Sequence, residues 1–195
     1  MSQATNRCLA AQVDVIEALL NSLEALVILV DGATHSDLAG PSKCPGWTEC
    51  DVLGHSIAVT LRFAEFASGK TDRPALPQGD LVGTDPVSSV RAAFAAARRS
   101  WMSTDRSRVC HLSFGDFDAE TAAGVNLVDV LGHGWDISPL RDRSFECEED
   151  LWRIGLVAAR AFIEPNRDLR HFEPQVAVAR GATSQERFLG FLGRH

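Results

Sequence analysis

Apolar residues recur every three or four positions through residues 5–31, at Val13, Ile16, Leu19, Leu20, Leu23, Val27 and Val30. That spacing puts them on one face of an α-helix, with Asp31-Gly32 as the stop. His35–Gly46 holds two prolines and two glycines and reads as a loop. A second helix is predicted from Thr48 to about Ser68-Gly69. Thr48 serves as N-cap, Asp51 completes a capping box, and Trp47 and Val52 are spaced for a hydrophobic staple. Along this helix His55, Val59, Phe63 and Phe66 share one line. The stretch Gly69–Asp85 carries Pro74, Pro77, Gly79 and Gly83, a long irregular connection of the kind that often borders a site.

Asp85-Pro86, an N-cap acid before a first-turn proline, opens a third helix that runs through Val90, Phe94 and Ala97 to about Met102. The segment RVCHLSFGDFDA, residues 108–119, alternates apolar and polar positions around Gly115-Asp116 and predicts a short hairpin. A fourth helix is expected over Glu120–Leu140 and a fifth over Glu148–Ile163. Beyond Pro165 the pattern gives a short strand at Gln175–Ala179 and a last helix from Ser184 to about Leu192, capped by Thr183 or Ser184. The class is mainly α: a helical bundle with peripheral β structure. Residues 1–195 read as a single domain, with 165–195 an extension packed on the bundle.

Composition narrows the functions. A net charge of −7 and a pI near 5.3 argue against nucleic acid as a partner, since phosphate binding needs concentrated Lys and Arg. Arg98 and Arg99 are adjacent but isolated. The five cysteines (Cys8, Cys44, Cys50, Cys110, Cys147) are scattered and make no CxxC pair. MSQATNRC at the N-terminus has no apolar leader, and Ala25–Val30 is far too short to span a membrane. A cytoplasmic protein with reduced thiols and no membrane partner is expected.

The richest stretch for chemistry is Asn126–Asp136, NLVDVLGHGWD, with Asp129, His133 and Asp136 at i, i+4 and i+7 on one strip of a helix. Asp129 and His133 lie one turn apart, so both can reach one ion. His55, at the end of WTECDVLGH, is a third candidate because Val59, Phe63 and Phe66 turn its line towards the core. The competing reading is plain. Leu127, Val128, Leu131 and Trp135 form the apolar side of the helix, and periodicity alone places the Asp129 strip in solvent. His55 by itself reads more readily as a satisfied core histidine than as a ligand. Other chemistry is thinner: GxSxG, HExxH, P-loop and GxGxxG motifs are all missing. Cys50, in the first turn of the second helix, is the best thiol nucleophile on paper, because a helix N-terminus lowers a thiol pKa. It also reads as an ordinary first-turn residue. His111 falls in the hairpin, at a cleft or on an edge strand, and Trp101 and Trp152 read as core or rim aromatics.

Taken together, PSKCPGWTECDVLGH, LRFAEFASGK, LSFGDFDAETAAGVNLVDVLGHGWDI and ERFLGFLGRH resemble metal-binding proteins of the DinB-like superfamily, and most closely the mycothiol-dependent maleylpyruvate isomerase family. The resemblance runs from about residue 7 to the end and rests on the GWTxxDxxxH and DxxxHGWD blocks in that order. It implies a four-helix bundle of up-down-down-up type, with a short β-hairpin and a small C-terminal appendage. It also implies a divalent metal, zinc first with nickel or iron as alternatives, held by His55, Asp129 and His133. In the isomerase the carboxylate ligand is a glutamate; Asp129 is one methylene shorter. Asp51 and Asp136 become candidate acceptors for ligand N–H groups, against a capping box for Asp51 and a surface salt bridge for Asp136.

That isomerase carries a C-terminal domain that helps to hold its thiol. Here about thirty residues follow the fifth helix, so that domain is expected to be missing or reduced to Val176–Leu192. The resemblance therefore implies related chemistry: a low-molecular-weight thiol such as mycothiol acting on a small-molecule electrophile in transfer, isomerisation or ring opening. Thiol-independent hydrolysis, cyclisation or isomerisation at the same metal is an alternative. A non-catalytic metal- or ligand-binding accessory is another. Pairing through helices into a homodimer is compatible with such a bundle.

Overall fold

The computed structural model describes residues 14–70, 74–137, 143–167 and 172–194. Six α-helices and one hairpin follow in order: α1 Val15–Leu29, α2 Glu49–Ser68, α3 Pro86–Met102, β1 Val109–Leu112, β2 Gly115–Asp118, α4 Ala119–Asp136, α5 Glu149–Ile163 and α6 Ser184–Leu192. Five of the six helices start at a side-chain cap; α5 begins after Glu148 with no side-chain cap. Asp14 accepts the Ile16 and Glu17 N–H groups, which begins α1 at Val15, and residues 5–13 of the expected helix lie outside the described ones. Thr48 and Asp51 form the expected capping box on α2, and Gly69, at φ 99°, closes it in the left-handed conformation. Asp85 caps α3 ahead of Pro86, Asp118 caps α4, and Thr183 with Glu186 boxes α6.

Helices α1 to α4 form the bundle, with α4 against α1 and α2, and α3 against the same two from the other side. Their directions follow from named contacts. The Thr104 hydroxyl, just past α3, donates to the Ala67 carbonyl near the end of α2, so α2 and α3 run parallel. The Arg106 guanidinium, beyond α3, meets Asp14 at the start of α1, so α1 opposes them. His55 early in α2 meets Asp129 late in α4, so α4 opposes α2. That is the up-down-down-up arrangement, and the parallel pair is why the 69–85 connection is long. It must return along the length of the bundle.

The core is continuous, from Leu19, Leu23 and Leu26 of α1 through Leu53 and Phe66 of α2 to Leu127 and Leu131 of α4. Helix α5 packs on α4 and α1, and α6 packs on α5. Trp152 of α5 sits between Phe145, edge-to-face at 6.0 Å, and Phe188 of α6 at 5.5 Å. No helix among the described residues is long and apolar enough to cross a membrane.

Three expectations are corrected. The hairpin forms, but Leu112 pairs with Gly115, so its two-residue tip is Ser113-Phe114 and Gly115-Asp116 belong to β2. Helix α4 ends at Asp136 with Ile137 as its cap, and residues 138–140 of the longer helix expected lie outside the described ones. Residues 175–179 form no strand. The Val176 N–H donates instead to the Gly190 carbonyl in α6. The extended segment lies so close to α6 that a Cβ on Gly190 would come within 2.7 Å of Val178 and 3.0 Å of the Val176 oxygen.

Candidate metal centre

The strip that periodicity assigned to solvent is enclosed, because α4 is flanked by α1, α2 and α5 at once. Asp129 and His133 keep 16% of their side-chain surface and Asp136 only 2%. Antiparallel packing sets the start of α2 beside the end of α4, and this brings together residues 74 positions apart. His55 Nε2 lies 3.3 Å from Asp129 Oδ1, and His133 Nε2 lies 3.7 Å from the same oxygen. One donor atom from each of the three residues falls within 4.8 Å of the others. Ligand bonds of about 2.1 Å in a tetrahedral site give edges of about 3.4 Å, so the spacing suits a single ion.

Two further observations fit the same group. Asp129 Oδ2 is buried with no hydrogen-bond partner among the described residues. A buried carboxylate oxygen left unpaired is costly, and a cation would satisfy it. The orientation of His133 is also set. Its Nδ1 is 2.8 Å from Asp136 Oδ2, and since a carboxylate only accepts, Nδ1 carries the proton and Nε2 keeps its lone pair for Asp129's side of the site. Burial pushes the Asp136 carboxyl up, but hydrogen bonds from Arg194 and His133, with the Arg194 charge, outweigh it and hold it below the usual carboxylate range. Burial pulls His55 down, while the Asp129 hydrogen bond and charge prevail and raise it above 6.5.

Asp51 has the other job foreseen for it. Its Oδ2 accepts from the Thr48 N–H and hydroxyl at the α2 N-terminus. Trp47, whose spacing suggested a staple, lays its ring over the site, edge-to-face with His55 at 5.4 Å and parallel to His133 at 6.5 Å. The bound loop explains why. Ser42 and Glu49 N–H groups donate to the Trp47 and Gly40 carbonyls, and the Lys43 N–H donates to the Asp136 carbonyl, so the 40–49 strap is tied to both helices of the site. His55 also lines a cleft of about 540 Å³, walled by His35, Cys50, Asp51, Leu76, Gln78 and Asp80.

Cys50 lines that cleft 3.4 Å from His35 Nε2. Burial, then the charges of Asp80 and Asp51, push its thiol up, which is the opposite of nucleophile activation. His111 is occupied across the hairpin by Asp116 at 2.8 Å. Trp101 and Trp152 are core residues. Sequence reasoning missed Arg194, whose Nε and Nη2 donate to Asp136 Oδ1 and Oδ2 at 2.9 and 2.8 Å. Nothing in FLGRH points to a residue 58 positions earlier.

The two glycines flanking His133 differ sharply. A Cβ on Gly132 would meet Leu192 at an ordinary 3.4 Å, whereas one on Gly134 would lie 2.6–2.7 Å from three atoms of the Phe145 ring. That ring is 2% exposed and backed by Trp152, so it has little room to retreat. Gly134→Ala is expected to destabilise by about 1–3 kcal/mol through overpacking. Gly132→Ala should be neutral or stabilising by up to about 1 kcal/mol, from helix propensity. Urea denaturation of the two variants side by side checks the contrast, and equal midpoints would refute it.

Two uncharacterized proteins of Mycobacterium tuberculosis, MT0763 of strain CDC 1551 / Oshkosh and Rv0738 of strain ATCC 25618 / H37Rv, are each 24% identical over 183 residues, covering 93% of this chain and 98% of the relative. No solved structure matches significantly. The model of the mycothiol maleylpyruvate isomerase N-terminal domain matches residues 19–138, a span that contains His55, Asp129, His133 and Asp136. On that match, which covers more than half of its length, the chain belongs to the mycothiol maleylpyruvate isomerase N-terminal domain family.

Proposed function

We propose that this protein is a metal-dependent enzyme in which a low-molecular-weight thiol of the mycothiol kind attacks a small electrophilic metabolite, in transfer, isomerisation or ring opening. The observation that carries the reading is the convergence of His55, Asp129 and His133, with Asp129 Oδ2 buried and unpartnered among the described residues. Two imidazoles and one carboxylate are a donor set for zinc that leaves a coordination position open. A divalent ion held there would supply positive charge that lowers the pKa of a thiol and polarises an electrophile.

The chain's own residues do the rest. Asp136 holds His133 in one tautomer and one orientation. The Trp47 ring covers both ligand histidines and limits the approach of water from its side. The cleft at His55 offers a small molecule a wall that is partly polar, from His35, Gln78 and Asp80, and partly apolar, from Leu76 and Pro77.

A thermal-shift comparison tests the thiol. Zinc-loaded protein is expected to be stabilised by mycothiol or a related thiol, by about 2.7 kcal/mol at a hundredfold excess over Kd, and chelator-treated protein is not. Equal shifts in the two forms would overturn the thiol reading and leave thiol-independent chemistry, or ligand binding without turnover, in its place.

A further inference from the structure

We infer that Arg194 is a positioning residue for His133, acting through Asp136, so that the segment after α6 sets how tightly the metal centre binds. The inference rests on the metal-site reading above. Its starting point is the end of α6. Gly193 adopts φ 88°, and a Cβ there would come within 2.6 Å of Glu173 Cβ and 2.9 Å of its backbone, so a glycine turn is required. The Gly193 and Arg194 N–H groups donate to the Gly190 and Leu189 carbonyls, which closes the helix and turns the chain back on itself. This directs the Arg194 side chain across α4 at Gly132, where an added Cβ would lie only 3.5 Å from the guanidinium.

The guanidinium then takes both oxygens of Asp136, at 2.9 and 2.8 Å, and Oδ2 also accepts from His133 Nδ1 at 2.8 Å. A two-pronged contact of this kind fixes the plane of the carboxylate as well as its position. Asp136 is 1% exposed, so without Arg194 it would be a buried charge with a single side-chain partner, His133, among the described residues, and freedom to rotate. The direction of His133 Nε2 depends on that carboxylate. Docking of α6 does not need the arginine, because Phe188, Leu189, Phe191 and Leu192 are already buried in the core. What Arg194 adds is control over the acidic side chain that accepts from His133 Nδ1.

Chelator-competition titrations with Zn²⁺, and visible spectra of the Co²⁺-substituted protein, test the link in wild type, R194A, R194K, D136N and the D136N/R194A pair. R194A is expected to bind zinc about 10–100-fold more weakly and to alter the Co²⁺ spectrum. The double variant should be no weaker than D136N, because Arg194 works only through Asp136. R194K should recover part of the loss, and its affinity carries the test if R194A fails to fold. Wild-type affinity and spectrum in R194A, or in R194K where R194A does not fold, would overturn the inference. So would losses that add in the double variant. Absence of zinc binding in wild type would instead overturn the metal-site reading, and this inference with it.

Discussion

His55→Ala and His133→Ala are each expected to abolish stoichiometric metal binding while leaving the fold intact. Removing one of three protein ligands should weaken binding by on the order of 100-fold or more, beyond the ~10–100-fold typical of losing a group that only orients a ligand. The fold should tolerate both changes, within about 1 kcal/mol, because neither imidazole fills the core; the two keep 30% and 16% of their side-chain surface. Asp129→Asn makes a sharper case. It removes the charge but keeps the shape, so it should lose the ion yet leave the chelator-treated protein as stable as wild type or more so. The Oδ2 it replaces is buried without a partner among the described residues. Wild-type affinity should also fall as the pH is lowered through the range where His55 protonates, which lies above 6.5, because only the neutral imidazole can bind. Metal analysis of the purified proteins, with circular dichroism and thermal unfolding alongside, decides the matter. Undiminished metal in both histidine variants would remove the site.

Trp152→Ala should have the largest effect on stability. The indole is 2% exposed and packs between Phe145, edge-to-face, and Phe188, tilted, so it joins the 143–148 segment, α5 and α6 in one aromatic cluster. Truncating a buried Trp to Ala costs about 3–5 kcal/mol through lost transfer energy and the cavity left behind. In a chain of this size that corresponds to a melting temperature lowered by roughly 10 °C. The effect should reach the metal centre. Phe145 is the ring against Gly134, next to His133, and once unsupported it would loosen the end of α4. Thermal and urea unfolding measure the loss, and a cost below about 1 kcal/mol would show that the cluster is not a structural keystone.

How much of this was legible beforehand differs from element to element. The Thr48–Asp51 capping box, Asp85-Pro86, Gly69 and the Thr183 cap are local signals, settled within four residues of chain, and each stands where the sequence put it. The three candidate ligands were also legible, but only through the ordered GWTxxDxxxH and DxxxHGWD blocks. Periodicity by itself pointed the other way for Asp129 and His133. It assumes a helix with one buried face, and α4 has neighbours on three sides. The misplaced hairpin tip and the strand at 175–179 failed for a related reason. Register and strand pairing depend on which partner is available, and residues 176–178 found α6 in place of a strand.

Sequence alone therefore determined the helices, the capped helix starts and the mainly α class, because these follow from short-range hydrogen bonding and the 3.6-residue repeat. Only the tertiary structure decided the direction of each helix and so the meeting of His55 with Asp129 across 74 positions. It alone gave Arg194 to Asp136, and Trp47 to the candidate ligand histidines. Those contacts depend on the packing of the 40–49 strap and α2 on α4 and on the glycine turn after α6, which no local pattern encodes.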